Sequence, residues 1–196
     1  MKRLCLFVLL VSMAVSCSRN GWTCPERRLI HDGDGLMRVL TVDNPEDSLV
    51  LRKECAFFSP EALKAGEYEL LAKRMVLTVT DPSQDGVGIA GPQVGVLRRI
   101  VAVQRFDKEG EPFEVYPNIR IIGFRGDPEP GPEGCLSVPG HRGDVLRWRD
   151  IDISYTSPVT LQDTVETVQG FTAVIFQHEC DHLDGILYTD KAENLQ

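Results

Sequence analysis

Two histidines four residues apart are the clearest sign of chemistry in this 196-residue chain. The segment from His178 to His182 reads H-E-C-D-H, and the apolar spacing over residues 171–183 predicts a helix. Side chains four apart lie on one helix face, so both imidazoles can reach a single metal ion. Glu179 lies beside them and can meet a metal-bound water without being a ligand. The pattern predicts a hydrolytic metal centre, with a chance pair of surface histidines as the alternative.

A catalytic zinc or iron centre of this kind needs a third protein ligand and an open position for water. Downstream, the sequence H-E-x-x-H-x-x-G-x-x-Y ends at Tyr188 and resembles the metzincin proteases. Those proteases have a histidine where this chain has Tyr188, so the pattern fails at the ligand position. A distant downstream glutamate has almost no room, because few residues follow His182. The third ligand is therefore expected upstream.

Three motifs, in order along the chain, resemble those of the peptide deformylase family. They are G-V-G-I-A-G-P-Q ending at Gln93, E-G-C-L-S around Cys135, and the H-E-x-D-H segment. The resemblance extends roughly over residues 43–190. It implies that Cys135, His178 and His182 hold one divalent metal ion. Fe(II) is the first expectation, with Zn(II), Ni(II) or Co(II) as alternatives, and a thiolate ligand suits such ions.

The resemblance also implies a reaction, the removal of the formyl group from N-formyl-methionyl peptides or proteins with release of formate. Glu179 would accept a proton from the water that the metal activates and would later protonate the leaving amine. The side-chain amide of Gln93 and the backbone N–H of Leu136 would stabilise the negative charge on the formyl oxygen. These three residues are the predicted catalytic groups.

The glycine-rich segment that ends at Gln93 has a second interpretation. Its glycines satisfy G-x-G-x-x-G, but the dinucleotide fingerprint requires a strand before it and a helix after it. Here a predicted helix precedes the segment and Pro92 follows the last glycine. The resemblance instead implies that Val87 and Gly88, together with Gly134, bind the substrate, and glycine lets a peptide backbone approach closely.

The elements around these motifs predict an α+β fold. Ser59 and Pro60 are typical of a helix N-cap and first turn, and the apolar spacing continues to the Asp81-Pro82 pair. β-branched residues favour strands within residues 98–122 and 145–168. With the family resemblance, this predicts antiparallel sheets packed around a central helix that carries the H-E-x-D-H motif.

The composition is that of an ordinary globular protein, with 42% hydrophobic and 26% charged residues. The formal net charge of −8 argues against nucleic acid as a partner. The expected partner is the formylated peptide substrate. Contact with a membrane is expected only through a lipid anchor.

The first 17 residues differ from the rest of the chain. Lys2 and Arg3 precede an apolar run, and small residues stand before Cys17. This predicts a signal peptide over residues 1–17, and its resemblance to bacterial lipoprotein signals implies export with a lipid on Cys17. The polar residues 18–36 are predicted to be a flexible tether, and residues 37–196 the catalytic domain. The alternative is a cytoplasmic protein whose true start lies near Met37.

Two other functions are left open by the sequence. A metallopeptidase of another kind would cleave internal amide bonds without a formyl group. A non-catalytic surface lipoprotein could keep the fold, although the intact Glu179 and the complete ligand set argue against it.

Overall fold

The computed structural model describes residues 18–33 and 35–195, and within them the chain folds into mixed helices and antiparallel sheets. The predicted signal peptide, residues 1–17, lies outside the described residues. Among those described, no helix is both long enough and apolar enough to cross a bilayer. In chain order the elements are β1 (Ser18–Arg19), β2 (Trp22–Thr23), α1 (Cys24–His31), α2 (Pro45–Leu51), α3 (Pro60–Lys64), α4 (Gly66–Val79), β3 (Gly88–Ala90), a 3₁₀ turn (Gly91–Val94), β4 (Ile100–Gln104), β5 (Phe113–Pro117), β6 (Arg120–Arg125), β7 (Glu129–Cys135), β8 (Val138–Arg147), β9 (Asp150–Thr156), β10 (Asp163–Gln169), α5 (Gly170–Leu183) and a second 3₁₀ turn (Tyr188–Asp190).

The ten strands pair antiparallel throughout, as the α+β prediction requires. Two three-stranded sheets have the orders β10-β9-β6 and β3-β4-β5, while β7 and β8 form a separate hairpin. Helix α5 contacts strands of both three-stranded sheets and buries its apolar face against them. Phe176 and Leu183 are fully buried there, and Cys180 is buried in the same cluster. The other main cluster forms around α4.

The flexible tether predicted for residues 18–36 is wrong. Most of that segment forms the β1–β2 hairpin and α1, where Thr23 caps the helix in a reciprocal capping box with Glu26. Trp22 is fully buried, and its Nε1 donates to the carbonyl of Ala62 at 3.0 Å. A single tryptophan beside one short polar helix produces no hydrophobic periodicity, so the sequence pattern gave no sign of this packing.

Two arginines attach this N-terminal segment to the rest of the fold. Arg98 bonds Glu26 through Nε and Nη2 and donates from Nη2 to the carbonyl of Gly21 at 2.8 Å. Within residues 18–33 and 35–195, the buried guanidinium of Arg74 donates to backbone carbonyls, including those left open at the end of α1. At distances of 2.8 to 3.3 Å its acceptors are Leu29, Ile30, Asp32, Gly35 and Leu36.

The helix predicted from Ser59 to Asp81 is two helices. Ser59 caps the first as predicted, since its Oγ accepts from the N–H of Ala62 at 3.3 Å. Ala65 then adopts an extended backbone, with φ −78° and ψ 147°, and α4 begins at Gly66. Glycine has a low helix propensity, which helps to separate the two elements at this point.

The β7–β8 hairpin carries the middle motif. Leu136 and Ser137 connect its two strands, and the pairing register shifts between Glu133 and Cys135. Such an irregularity changes the direction in which neighbouring side chains point. The sequence did not predict β7, because Pro130, Pro132 and two glycines make it resemble a loop.

Candidate metal centre

The hairpin and α5 together bring the three predicted ligands into one group. The ligand atoms of Cys135, His178 and His182 all lie within 4.8 Å of one another. The two imidazoles come from successive turns of α5, and Cys135 Sγ lies 3.2 Å from His182 Nε2. One thiolate and two imidazoles at this separation fit a divalent metal such as Zn(II) or Fe(II), with room for a further ligand.

A buried carboxylate orients one of the histidines. His178 Nδ1 donates to Glu133 Oε2 at 2.8 Å, which leaves Nε2 as the ligand atom. Arg147 in turn donates to Glu133 from Nε at 2.7 Å and from Nη2 at 3.1 Å. Burial alone would raise the pKa of Glu133, but the bonds from His178 and Arg147 lower it to about 2. Arg147 also pairs with Asp181, at 2.6 Å.

The Cys135 sulfur lies in surroundings that favour the thiolate. Burial alone would raise the pKa of the thiol, but the charges and hydrogen bonds of His182 and His178 lower it well below its ordinary range. The backbone N–H of Ser137 also donates to Sγ at 3.4 Å. Because the thiolate is the form of cysteine that binds a metal, these surroundings favour Cys135 as a metal ligand.

Glu179 lies beside the ligand group and is 3% exposed. Burial raises the pKa of Glu179 to about 7, against the opposing charges of His178 and His182. Its Oε2 has no hydrogen-bond partner within residues 18–33 and 35–195. A carboxyl group with a pKa near neutrality and a free oxygen facing a cleft is suited to moving a proton in both directions.

Gln93 reaches the same place from the 3₁₀ turn after β3. Its Oε1 accepts from the backbone N–H of Ala90 at 2.8 Å, and its Nε2 donates to Ser137 Oγ at 3.2 Å. The same Nε2 lies 3.6 Å from Cys135 Sγ. The NH₂ end of the amide therefore faces the ligand group.

These groups open onto a cleft of about 780 Å³. The predicted substrate-binding residues Val87, Gly88 and Gly134 line it, as does Leu136. Residues of α5 form an apolar wall, and the exposed Arg142 also borders the cleft. The α5 residues that line the cleft are Phe171, Val174, Ile175, His178 and Glu179.

Tyr188, the residue at the metzincin ligand position, packs against His178. The two rings are stacked with centroids 6.1 Å apart, and Tyr188 belongs to an apolar cluster with Val138 and Val145. Its hydroxyl has no hydrogen-bond partner in the described part of the chain.

Two residues of the site were given no role by the sequence reasoning, Glu133 and Ser137. Both lie in the E-G-C-L-S segment, two positions on either side of Cys135. Side chains two apart on a strand share a face, so Glu133 could have been considered as a neighbour of the sulfur. The contact between Ser137 and Gln93 joins two distant loops, and no local pattern indicates it.

Comparison with known proteins agrees with this geometry. The polypeptide deformylase family model matches residues 36–196. A peptide deformylase of Symbiobacterium thermophilum is 44% identical over 124 residues, which cover 61% of this chain and 54% of that protein. One from Leptospira biflexa is 35% identical over 164 residues, covering 80% of this chain and 88% of that protein. The crystal structure of an Acinetobacter baumannii peptide deformylase with Met-Ala-Ser bound aligns with a TM-score of 0.70 at 31% identity, covering 81% and 99% of the two chains.

The fold and the Cys-His-His group define the chain as a metal-dependent hydrolase. More specifically, the chain belongs to the peptide deformylase family. The predictions of the family and of an enzyme are thus confirmed.

Proposed function

We propose that the chain hydrolyses the N-formyl group of formyl-methionyl peptides or proteins and releases formate. One observation carries the proposal beyond family membership. A buried carboxylate with an uncommitted oxygen, Glu179 Oε2, lies on the same cleft as the Cys135–His178–His182 group and the Gln93 amide. This is the complete set of groups that the hydrolysis of a formyl amide needs.

The metal ion would be held by Cys135, His178 and His182. Fe(II) is the first expectation for this ion, with Zn(II), Ni(II) or Co(II) as alternatives. A divalent ion bound there lowers the pKa of a water molecule towards neutrality and polarises a carbonyl group. Glu133 keeps His178 in the tautomer that presents Nε2.

The remaining steps belong to side chains and backbone of this chain. Glu179 takes a proton from the attacking water and returns it to the amine nitrogen as the C–N bond of the formamide breaks. The Gln93 amide and the backbone N–H of Leu136 donate to the formyl oxygen as negative charge develops on it. Both donors lie in tight turns, the 3₁₀ turn after β3 and the connection between β7 and β8, so they are already in place before substrate binds.

The substrate would bind in extended form along β3. The backbone at Val87 and Gly88 borders one side of the cleft and Gly134 the other, and neither glycine has a side chain that would keep a peptide away. Helix α5 is the central helix of the proposed site, and one of its faces carries Phe171, then Val174 or Ile175, then His178, about one turn apart. The apolar residues of this face would form a wall for the methionine side chain, next to the reacting group. The bound Met-Ala-Ser of the Acinetobacter baumannii relative supports a peptide substrate.

Formate release from formyl-Met-Ala-Ser by the iron-loaded enzyme without oxygen tests this proposal. Glu179→Ala should retain the metal and lose nearly all turnover, because it removes the group that moves the proton. Glu69→Ala, a truncation of an exposed glutamate on α4, is the matched control and should behave as wild type. Retention of most activity by Glu179→Ala would contradict the mechanism. Cleavage of internal amide bonds in unformylated peptides would instead indicate another kind of metallopeptidase.

We further propose that residues 1–17 direct export and that Cys17 carries a lipid anchor. The support is the sequence alone, with its basic start, apolar run and small residues before Cys17. Stable anchoring requires more than one acyl chain, as lipoproteins carry. Fractionation and intact-mass measurement of the protein from its native host test the proposal. An unmodified cytoplasmic chain that begins near Met37 would contradict it and leave the deformylase proposal untouched.

A further inference from the structure

The orientation of the Gln93 amide is fixed by a group that can only donate. The backbone N–H of Ala90 points at one end of the amide at 2.8 Å, so that end must be the oxygen. The other end is therefore the NH₂ group, which carries two hydrogens. Gln93 is 1% exposed, so water does not compete for these contacts.

Ser137 takes one of the two N–H groups. Its Oγ lies 3.2 Å from Gln93 Nε2, and Ser137 is fully buried. The two N–H bonds of a planar amide point in fixed directions, so holding one of them sets the direction of the other. The second N–H donates a long hydrogen bond to Cys135 Sγ, which is 3.6 Å from Nε2. It is thus directed at the ligand group and the cleft.

One short segment of the chain, residues 40–42, is hydrogen-bonded to the backbone of both Gln93 and Ser137. The N–H of Leu40 donates to the carbonyl of Gln93 at 2.8 Å, and the N–H of Val42 donates to the carbonyl of Ser137 at 2.9 Å. These backbone bonds do not involve the serine hydroxyl. Removing that hydroxyl should therefore free the amide without moving either loop.

We propose that Ser137 is a positioning residue for the hydrolysis: its hydroxyl accepts one N–H of Gln93 and thereby holds the other beside the ligand group. There that N–H, which makes only a long bond of 3.6 Å to Cys135 Sγ, can be shared with the oxygen that becomes negative in the transition state. The inference rests on the proposed function, since it assigns the second N–H to the formyl oxygen. It gives a role to a serine that does not itself touch the substrate. The role is separate from that of the Ser137 backbone N–H, which donates to Cys135 Sγ.

Kinetics of Ser137→Ala in two backgrounds test the proposal. In the wild-type background the variant should lower kcat by roughly 5- to 30-fold with little change in KM. This is less than the roughly 10²–10³-fold expected for complete loss of an oxyanion donor, because the amide remains but is no longer held in one orientation. KM should change little because the charge develops only in the transition state. In the Gln93→Ala background the same substitution should have almost no further effect, since the group it orients is gone.

Three controls separate this role from a structural one. Ser154→Ala makes the same change at a buried serine of β9, away from the cleft, and should leave kcat unchanged. Metal content of Ser137→Ala should match that of wild type, and its free energy of unfolding should fall by no more than the roughly 1–3 kcal/mol expected for one lost buried hydrogen bond. Ser137→Thr, which keeps the hydroxyl, should recover a larger part of kcat than Ser137→Ala does.

A measurement that needs no turnover completes the test. In zinc-loaded protein with ¹⁵N-labelled glutamine, the Gln93 side-chain signal is identified by its absence from Gln93→Ala. Ser137→Ala should shift one of its two amide protons much more than the other. Three results would each overturn the proposal. They are an unchanged Gln93 signal in Ser137→Ala, loss of metal from that variant, or an equal fold-loss of kcat from Ser137→Ala in the wild-type and Gln93→Ala backgrounds. If wild type itself releases no formate, the proposed function fails, and the amide signal still reports whether the two side chains are coupled.

Discussion

At Gly88 the absence of a side chain lets β3 pass directly beside the carboxylate of Glu179, the proposed proton carrier. A Cβ built on Gly88 would lie 2.4 Å from Glu179 Oε1 and 2.8 Å from Ile175 Cγ2. We therefore expect Gly88→Ala to displace Glu179 and to lower kcat at least as much as the loss of one oxyanion donor, roughly 10²-fold or more. Gly66→Ala, at a glycine with open space around it, is the control and should keep wild-type kinetics. Near-normal turnover of Gly88→Ala would show that Glu179 does not need its present position.

The identity of the third ligand can be tested at single residues. We expect a cobalt-substituted enzyme to show a thiolate-to-metal charge-transfer band, because Cys135 belongs to the ligand group. The band should disappear in Cys135→Ala and persist in Tyr188→Phe, since the Tyr188 ring packs against His178 and is not a member of the ligand group. The opposite result, a band that survives in Cys135→Ala, would restore the metzincin-like assignment. Absorption spectra of the three proteins decide between the two.

At the residue scale the sequence was most informative where chemistry depends on local spacing. His178 and His182 are four residues apart on one helix, so their common face followed from helical geometry alone. Cys135 needed the family resemblance, because no local rule links a hairpin residue to a distant helix. Glu133 and Ser137 make their key contacts 45 and 44 residues away along the chain, to His178 and Gln93. Single-sequence patterns carry no information about such contacts.

The β7–β8 hairpin and α5 are joined through one buried arginine. Arg147 bonds Glu133 on the hairpin and Asp181 on the helix, and its side chain is 5% exposed. Arg147→Met would leave the buried Glu133 with His178 as its remaining partner, whereas Asp181 would keep its pair with Lys191. Because a buried carboxylate loses its cation, we expect a loss of about 3–5 kcal/mol in the free energy of unfolding. Metal affinity should also fall, roughly 10–100-fold, because Glu133 orients His178. Urea unfolding and competition with a chelator measure the two effects.

An exposed arginine provides the comparison for that variant. Arg125 pairs with Asp150 and Asp152, but its side chain is 43% exposed. Arg125→Met should therefore change stability by no more than about 1 kcal/mol and leave the metal affinity as it was. Equal effects of the two substitutions would show that the buried pairing does not hold the hairpin against the helix.

Elements with a strong periodic or capping signal were predictable, and elements without one were not. Helix α5 and strand β9 each bury one face, and this burial produces the apolar spacing of α5 and the alternation in β9. Both patterns can be recognised in the local sequence. Strand β7 has no such signal, since its prolines and glycines favour loops. The sequence did not predict the break at Ala65, because alanine has a high helix propensity. Nothing in the residue type indicates the extended backbone that Ala65 adopts.

On the scale of the whole molecule, the N-terminal segment is part of the folded core. Trp22 is fully buried, with its ring centroid 5.3 Å from that of Phe58. Trp22→Ala should lower the free energy of unfolding by about 3–5 kcal/mol, because a large buried side chain leaves a cavity. Leu49→Ala, at a leucine that is 70% exposed, should change it by less than about 0.5 kcal/mol. Thermal or urea unfolding checks both, and an unaffected Trp22→Ala would restore the tether.

The attachment of this segment also bears on the alternative start near Met37. A chain that began there would keep Arg74 but lose all five carbonyl oxygens that its guanidinium contacts. It would also lose the side chains of Trp22 and Ile30, which are fully buried in the core cluster around α4. Phe58 would also lose the ring of Trp22. Residues before Met37 therefore stabilise the same fold that contains the family motifs.

The contacts of Arg74 and Arg98 have a mechanical consequence. Residues 40–42, which bond Gln93 and Ser137, begin only a few residues after Leu36, the last residue that Arg74 contacts. Between them, the N–H of Met37 donates to Thr78 Oγ1 at 2.8 Å. A force applied at the N-terminus must first break the bonds of Arg98 and Arg74 before any tension reaches Leu40. Tension from that end is thus resisted before it reaches the segment that holds the Gln93 amide in place.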